Sequence, residues 1–317
     1  MPGEDAHPSV RHVHRRILIG YQDSPEGLDA LALGRVLAEI TDGSLTVATV
    51  YPWPRGLMTH EDLSNALAIE STDTFAKVRD LLPGLDVETV PVAEQSISNA
   101  LGKLAEDRHA AVIVVGSCHH GAVGETFLGS TGASLLHGAP CAVMVAPRGY
   151  RDGPTERPRR IGVGFDGSPE SWAALETAIA FAELEGGELV VISVADYPKY
   201  GYATVWTVLT AGEIQDAERA EMRRTQELAL GRVPGSVNAE GRLLTGSPGA
   251  LLAEASADVD LMVVGSRGHG PLRRTLLGST ARKLVSGSRS PLLVVPRGTS
   301  MDPLGLRRER AGEQAAA

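Results

Sequence analysis

Gly265, Gly268 and Gly278, followed at once by Ser279 and Thr280, set out the spacing G-x2-G-x9-G-S-T. Glycine reaches φ > 0 without strain and lets a ligand come close to the backbone. Exposed N–H groups that run into a helix N-terminus bind anions, and two adjoining hydroxyls add further donors. Arg267, Arg273 and Arg274 stand in or beside the segment, and Arg282 and Lys283 follow it. A phosphate group suits this combination. The plainer alternative is a glycine-rich turn between strand and helix, closed by a serine cap. Asp166, just after an apolar run of strand type, and the alternating pattern described below favour the phosphate.

Other chemistries find weaker support. A P-loop needs G-x4-G-K-[ST], and Gly102-Lys103 has no glycine five residues ahead of Gly102. No G-x-S-x-G elbow is present to carry a nucleophilic serine. Cys118, His119 and His120 are adjacent, but neighbours on one loop do not supply the three or four convergent ligands that zinc needs. Cys118 reads as an inert thiol, with a redox sensor as the alternative. Cys141, at the start of an apolar strand, reads as core. Glu213, Asp216, Glu218 and Glu221, interleaved with Arg219, Arg223 and Arg224, read as the solvated face of a helix. Pro52-Trp53-Pro54 and the aromatic segment 197–202 read as partly exposed loops, with a lid over a ligand as the alternative.

The elements that would position the glycine segment occur twice. Gly116, Ser117, His120 and Gly121 return as Gly265, Ser266, His269 and Gly270. Thr126, Leu128, Gly129, Ser130 and Thr131 return as Thr275, Leu277, Gly278, Ser279 and Thr280. At this spacing of 149, 15 of the 34 positions from 116 to 149 are identical. The run that begins at Ile17 likewise matches the one that begins at Ile161. One unit is therefore duplicated, over 14–149 and 159–298. The join at 148–160, dense in Pro, Gly and charge, reads as an exposed linker. Residues 1–13 and 299–317 read as disordered.

Within the second unit, 161–164, 188–194, 238–244, 261–264 and 292–295 are short strand-like runs. Ser168 is set to cap a helix that opens on Pro169, and Leu175, Ala178, Ile179 and Ala182 give that helix an apolar stripe. Ser24 and Pro25, with Leu33, Val36, Leu37 and Ile40, repeat the arrangement in the first unit. A run apolar throughout, such as 112–115, predicts burial on both faces and hence a parallel sheet. The fold class is α/β: two doubly wound, Rossmann-like five-stranded parallel sheets in tandem. Sheets of this kind bind ligands at the carboxyl ends of strands, where the strand order reverses.

Composition bounds the partners. The chain has 317 residues, a net charge of −9 and 4% aromatics. That length suits two domains, and acidic, aromatic-poor chains are unsuited to nucleic acid or an anionic membrane. No apolar run approaches the ~18–20 residues of a membrane helix, and the polar first 16 residues lack a secretory core. Two cysteines without a CxxC pairing are expected to stay reduced, so the expected location is the cytoplasm.

The glycine spacing, the stretch GFDGSP from Gly164 and the closing PLLVVP from Pro291 resemble a universal stress protein domain, and the resemblance covers both halves. It implies strand order 3-2-1-4-5 and, in one branch of that family, ATP, with or without Mg2+, held between strands 1 and 4. By that resemblance Gly164 and Asp166 face the nucleoside, with Asp166 accepting from a ribose hydroxyl. Val194 meets adenine through its backbone, and Val264 and Gly265 flank the sugar. Gly268, Gly278, Ser279 and Thr280 hold the phosphates, in a loop that also includes Ser266, Arg267, His269, Gly270 and Pro271. In the first half Gly20, Gly116, Gly129, Ser130 and Thr131 keep the pattern, but Gln22 replaces Asp166 and His119 replaces Gly268. Gln22 lacks the strength of a carboxylate acceptor. His119 either crowds a phosphate or, when protonated, contacts it. The resemblance implies a stress-response protein that binds or signals with an adenine nucleotide and has no catalytic residues; a slow ATPase or nucleotide-transferring enzyme is the rival. It also implies halves paired within the chain through their last strands, leaving homodimerisation open.

Overall fold

Apolar strand and amphipathic helix alternate twice in a computed structural model that describes residues 15–51, 60–117, 130–153, 157–196, 205–266, 279–296 and 304. The first half runs β1 (Arg16–Gly20), α1 (Pro25–Thr41), β2 (Ser44–Tyr51), α2 (His60–Leu81), β3 (Val87–Ala93), α3 (Ile97–Arg108), β4 (Val112–Gly116), α4 (Ser130–Gly138) and β5 (Ala142–Ala146). The second runs β6 (Arg160–Gly164), α5 (Pro169–Glu185), β7 (Glu188–Ala195), α6 (Val205–Leu230), β8 (Asn238–Thr245), α7 (Pro248–Ala255), β9 (Leu261–Gly265), α8 (Ser279–Gly287) and β10 (Leu292–Val295). Helix α1 starts where expected because the Ser24 hydroxyl accepts from the Gly27 N–H at 3.1 Å and Pro25 has no N–H to leave unpaired. Ser168 does the same for α5, accepting from Ser171 N–H at 3.2 Å.

The strands form one sheet in the order β3-β2-β1-β4-β5-β10-β9-β6-β7-β8. Each half is parallel and has the expected 3-2-1-4-5 order. The halves meet at a single antiparallel pair, with Val143, Met144 and Val145 of β5 opposite Val294, Leu293 and Leu292 of β10. Two apolar edges thus cover one another, which is one way a protein disposes of edge strands. The cores are continuous across this joint. Ile19 and Leu37 share a layer with Val163 and Phe181 on one face, and Leu101 and Ile113 share a layer with Leu252 and Leu284 on the other. The stripes read from sequence, Leu33, Val36, Leu37, Ile40 and Leu175, Ala178, Ile179, Ala182, all lie buried in the first of these layers.

The join between the halves is exposed at Arg148, Asp152, Gly153, Arg157 and Arg159, as expected of a linker, but it is also docked. The chain turns through a short 3-10 segment, Tyr150–Asp152, and docks on α1. Asp29 is 1% exposed and accepts from the backbone N–H groups of Gly149 (2.8 Å) and Arg151 (3.1 Å), and from the Arg151 guanidinium (3.3 Å). Pro158 is buried, and so is Leu304, the described residue of the tail. Burial, with the Asp260 charge nearby, pushes the Tyr150 phenol up to about 12.

Asp29→Ala strands three donors at this dock, so chemical denaturation should show a loss of about 2–4 kcal/mol. The exposed Arg35→Ala, which breaks only a surface pair with Glu39, should lose less than about 0.5 kcal/mol. The folded state keeps the Tyr150 proton that an unfolded phenol gives up near 10.0, so its contribution is intact below that pH and lost as pH rises towards 12. Stability measured against pH should therefore fall less steeply in Tyr150→Phe over that window.

Candidate functional site

In the second half β6 and β9 are neighbours, paired through Val163 and Val263. Beyond that pair their connections part. From β6 the chain enters α5, whose Leu175 and Ala178 pack on one face of the sheet. From β9 it passes towards α8, whose Leu284 and Val285 pack on the other. The crevice opened by this divergence is the place where doubly wound sheets take ligands. Gly164 and Asp166 stand on one lip, Val264, Gly265 and Ser266 on the other. Val194 lies on the adjoining β7, two residues past Ile192, which faces Gly164.

The loop from β6 into α5 is tightly built. Asp166 Oδ1 accepts from the Ser168 N–H at 3.0 Å and from its hydroxyl at 2.5 Å, which fixes the carboxylate at the mouth of the crevice. Gly167 makes the turn with φ +80°, and an added Cβ would also stand 2.7 Å from the Thr225 methyl. Phe165 is clamped beneath, edge-on to Trp172 of α5 with ring centroids 4.9 Å apart. Gly265 lets the first turn of α5 close on β9, since a Cβ there would stand 2.7 Å from the Glu170 carbonyl carbon. Its position is thus explained by packing before any ligand is considered. Thr280 in the first turn of α8 is half-buried, Lys283 one turn on reaches the Ser247 hydroxyl at 3.3 Å, and Arg282 is exposed. Arg267, Gly268, His269, Gly270, Pro271 and Gly278 fall outside the described residues, as do Cys118, His119 and Gly129 of the first half. Both aromatic segments weighed as lids also lie outside them.

The first half repeats the crevice between β1 and β4, with different groups on it. Gly20 and Gly116 hold the same places, and a side chain at Gly116 would collide with the Glu26 carbonyl. Gln22 is exposed. Asp23 has taken the place of Gly167 and accepts from Lys77 of α2 at 2.6 Å, which raises the pKa of that ammonium. Tyr21 stands where the second half has Phe165. Its hydroxyl is buried without a hydrogen-bond partner, as are those of Thr49 on β2 and Ser117 just past β4. Burial raises the Tyr21 phenol, and so do the nearby Asp23 charge and the interaction of the hydroxyl with the Asp23 side chain. Sequence reasoning missed these hydroxyls, because a missing partner leaves no mark in a sequence. In the second half Ser193 on β7, the counterpart of Thr49, is likewise unpaired. A buried hydroxyl without a partner costs about 1–3 kcal/mol.

Other readings of the sequence find their places. Cys141 is buried before β5, and desolvation pushes its thiol up to about 12, which leaves little reactive thiolate. Glu213, Asp216, Glu221, Arg219, Arg223 and Arg224 are exposed on α6, with Arg224 and Glu221 paired at 3.5 Å. Glu218 is half-buried, and one of its carboxylate oxygens lacks a partner. No described helix is long and apolar enough to cross a membrane, and no three His, Cys, Asp or Glu side chains group together among the described residues.

A model of the universal stress protein family matches residues 14–147 and again 158–296, the same two units that the fold displays. The chain belongs to the universal stress protein family. Universal stress proteins of Mycobacterium bovis and Mycobacterium tuberculosis are each 28% identical to it over 292 residues, which is 88% of this chain and 99% of theirs. One from Mycolicibacterium smegmatis is 29% identical over 296 residues, 88% of this chain and 96% of its own. Among solved structures, a universal stress protein from Archaeoglobus fulgidus superposes with a TM-score of 0.64 at 20% identity, covering 89% of this chain and 96% of that one. One described as a putative universal stress protein from Pseudomonas aeruginosa superposes at 0.58, also at 20% identity, covering 90% and 94%. These likenesses bear out the family and the tandem α/β fold.

Two glycine substitutions should separate packing from backbone freedom. Gly265→Val forces the first turn of α5 off β9 and should lower unfolding free energy by about 1–3 kcal/mol. Gly102→Ala, in α3 with nothing within 4 Å of the new methyl, should be neutral or stabilise by up to about 1 kcal/mol in the same denaturant titration.

Proposed function

We propose that the second half binds an adenine nucleotide, ATP first of all, and that the protein acts in a stress response as a nucleotide-dependent binding or signalling module. The observation that carries this reading is the crevice between β6 and β9, with the Asp166 carboxylate held on its lip by Ser168. A carboxylate fixed at the end of the first strand is a good acceptor for a ribose hydroxyl. Val194 extends past the end of β6, so its backbone is available to a base edge. The helix N-terminus at Ser279 and Thr280, the arginines Arg267, Arg273 and Arg274, and the glycines Gly265, Gly268 and Gly278 supply the charge and close approach that phosphates require. Bound ATP would supply three phosphates whose charge reports the loaded state; Mg2+ would accompany them as a partner of the nucleotide. The cytoplasm suits such a ligand.

Binding is favoured over catalysis because the sequence offers no Walker lysine and no paired carboxylates to activate water on the phosphates. Calorimetry with ATP should show one tight site, weakened about tenfold by Asp166→Asn and abolished by Gly268→Glu. Wild-type affinity in Gly268→Glu would sink the assignment, and turnover at about 1 per second or faster would move the protein to the enzymes.

A further inference from the structure

The joint between β5 and β10 leaves the sheet with two outer strands, β3 and β8, each paired on one side only. In a parallel strand alternate residues turn both backbone groups towards the neighbouring strand, and the residues between them turn theirs outward. The Glu94 N–H donates to the Tyr51 carbonyl at 3.2 Å, which sets the parity of β3: Val87, Thr89, Pro91 and Ala93 face outward. The Gly246 N–H donates to the Ala195 carbonyl at 2.9 Å, so in β8 the outward set is Ala239, Gly241, Leu243 and Thr245. Gln226 confirms this parity, since its amide reaches the Val191 and Arg242 carbonyls together, between β7 and β8.

The two edges differ at one matched position. Counted across the sheet from Ile17 and Ile161 through Leu45 and Leu189, Val87 corresponds to Ala239, and Pro91 therefore to Leu243. Proline in the outward set has no N–H to offer and blunts an edge against a further strand. β8 has no proline, so its outward donors run on through Leu243.

The side chains of β8 choose a partner and a register. Glu240 and Arg242 share the sheet face opposite α6, where Arg242 bonds Glu240 at 3.1 Å and Asp258 at 3.0 Å, and Glu240 also meets Arg160. Both are thereby held along the strand at the open edge. Set a second copy of β8 antiparallel to the first, with the two-fold axis at Gly241. Each Glu240 then lies opposite Arg242 of the other copy, in the closely spaced pairs without hydrogen bonds. Gly241 meets its own copy and Ala239 meets Leu243 of the other, each pair exchanging two N–H···O bonds. An axis at Glu240 or at Arg242 would put like charges face to face. Exposed ion pairs are weak individually, so they select the register while the backbone supplies the attraction.

We propose that the β8 edge is an interface for a second copy of this chain, paired antiparallel about Gly241, which joins two ten-stranded sheets into one. The edge of the first half, closed by Pro91, takes no part.

Sedimentation equilibrium on the full chain should show a monomer giving way to a dimer between about 1 and about 100 μM, the range of a modest interface. Amide exchange at Gly241 and Leu243 should slow as the dimer fills, with Thr89 on the far edge unchanged. Leu243→Pro transplants the device of the first half. It should weaken association at least about tenfold and melt near wild type, because the lost N–H makes no bond to β7. Glu240→Arg and Arg242→Glu should each weaken association by about as much, and an equimolar mixture of the two should recover it as a mixed dimer. This second pair of variants decides the matter should Leu243→Pro fail to fold. A chain that stays monomeric up to about 100 μM overturns the proposal, whether the edge is bare or taken by an extended segment of another protein. So does a dimer that the charge reversals leave intact, or a mixture that associates no better than either variant alone.

Discussion

The antiparallel meeting of β5 and β10 is the contact on which the rest of the molecule depends. Each half is a parallel sheet whose last strand is apolar on both faces and would otherwise end in a bare edge. Three residue pairs close both edges at once. They also let the two core layers run unbroken from α1 to α5 on one face and from α3 to α7 and α8 on the other. Because the partner is covalently attached, pairing does not depend on protein concentration as a dimer's would. The docked join, with Asp29 gathering three donors, shortens the tether further by tying the connection to α1.

Much of this architecture was legible because it rests on local chemistry. Ser-Pro at the entry of α1 and α5, apolar runs of strand length and stripes at helical spacing each leave a mark in the sequence, and the duplication reinforced every one of them. Strand ends fell within a residue of expectation because turn residues punctuate them. The crevice itself could be located once the strand order was fixed. What stayed hidden depends on partners distant in sequence. Asp29 occupies a helix position like any other, and nothing near it in the chain foretells Gly149 and Arg151 120 and 122 residues away. Gly265 looked like a ligand-facing glycine, and the structure gives it a second reason in the close approach of α5.

Duplication left the two units free to diverge where the fold does not constrain them. The buried strands and capping residues were retained because both sheets need them. The first loop after the leading strand was not: Asp166-Gly167 in one half corresponds to Gln22-Asp23 in the other, and a turn at φ +80° was traded for an ion pair to α2. Phe165, locked against Trp172, has Tyr21 as its counterpart. These exchanges leave the sheet intact and alter the chemistry at its rim.

The antiparallel joint has one geometric outcome. Since β5 and β10 run in opposite directions while each half is internally parallel, the carboxyl ends of the first five strands and of the last five point to opposite rims of the sheet. The two mouths therefore face away from each other. No single flat surface of a partner can sense both, and two molecules docking one at each rim would not collide. The two rims are thus separate addresses on one body, joined by a ten-stranded plate through which any message between them has to pass.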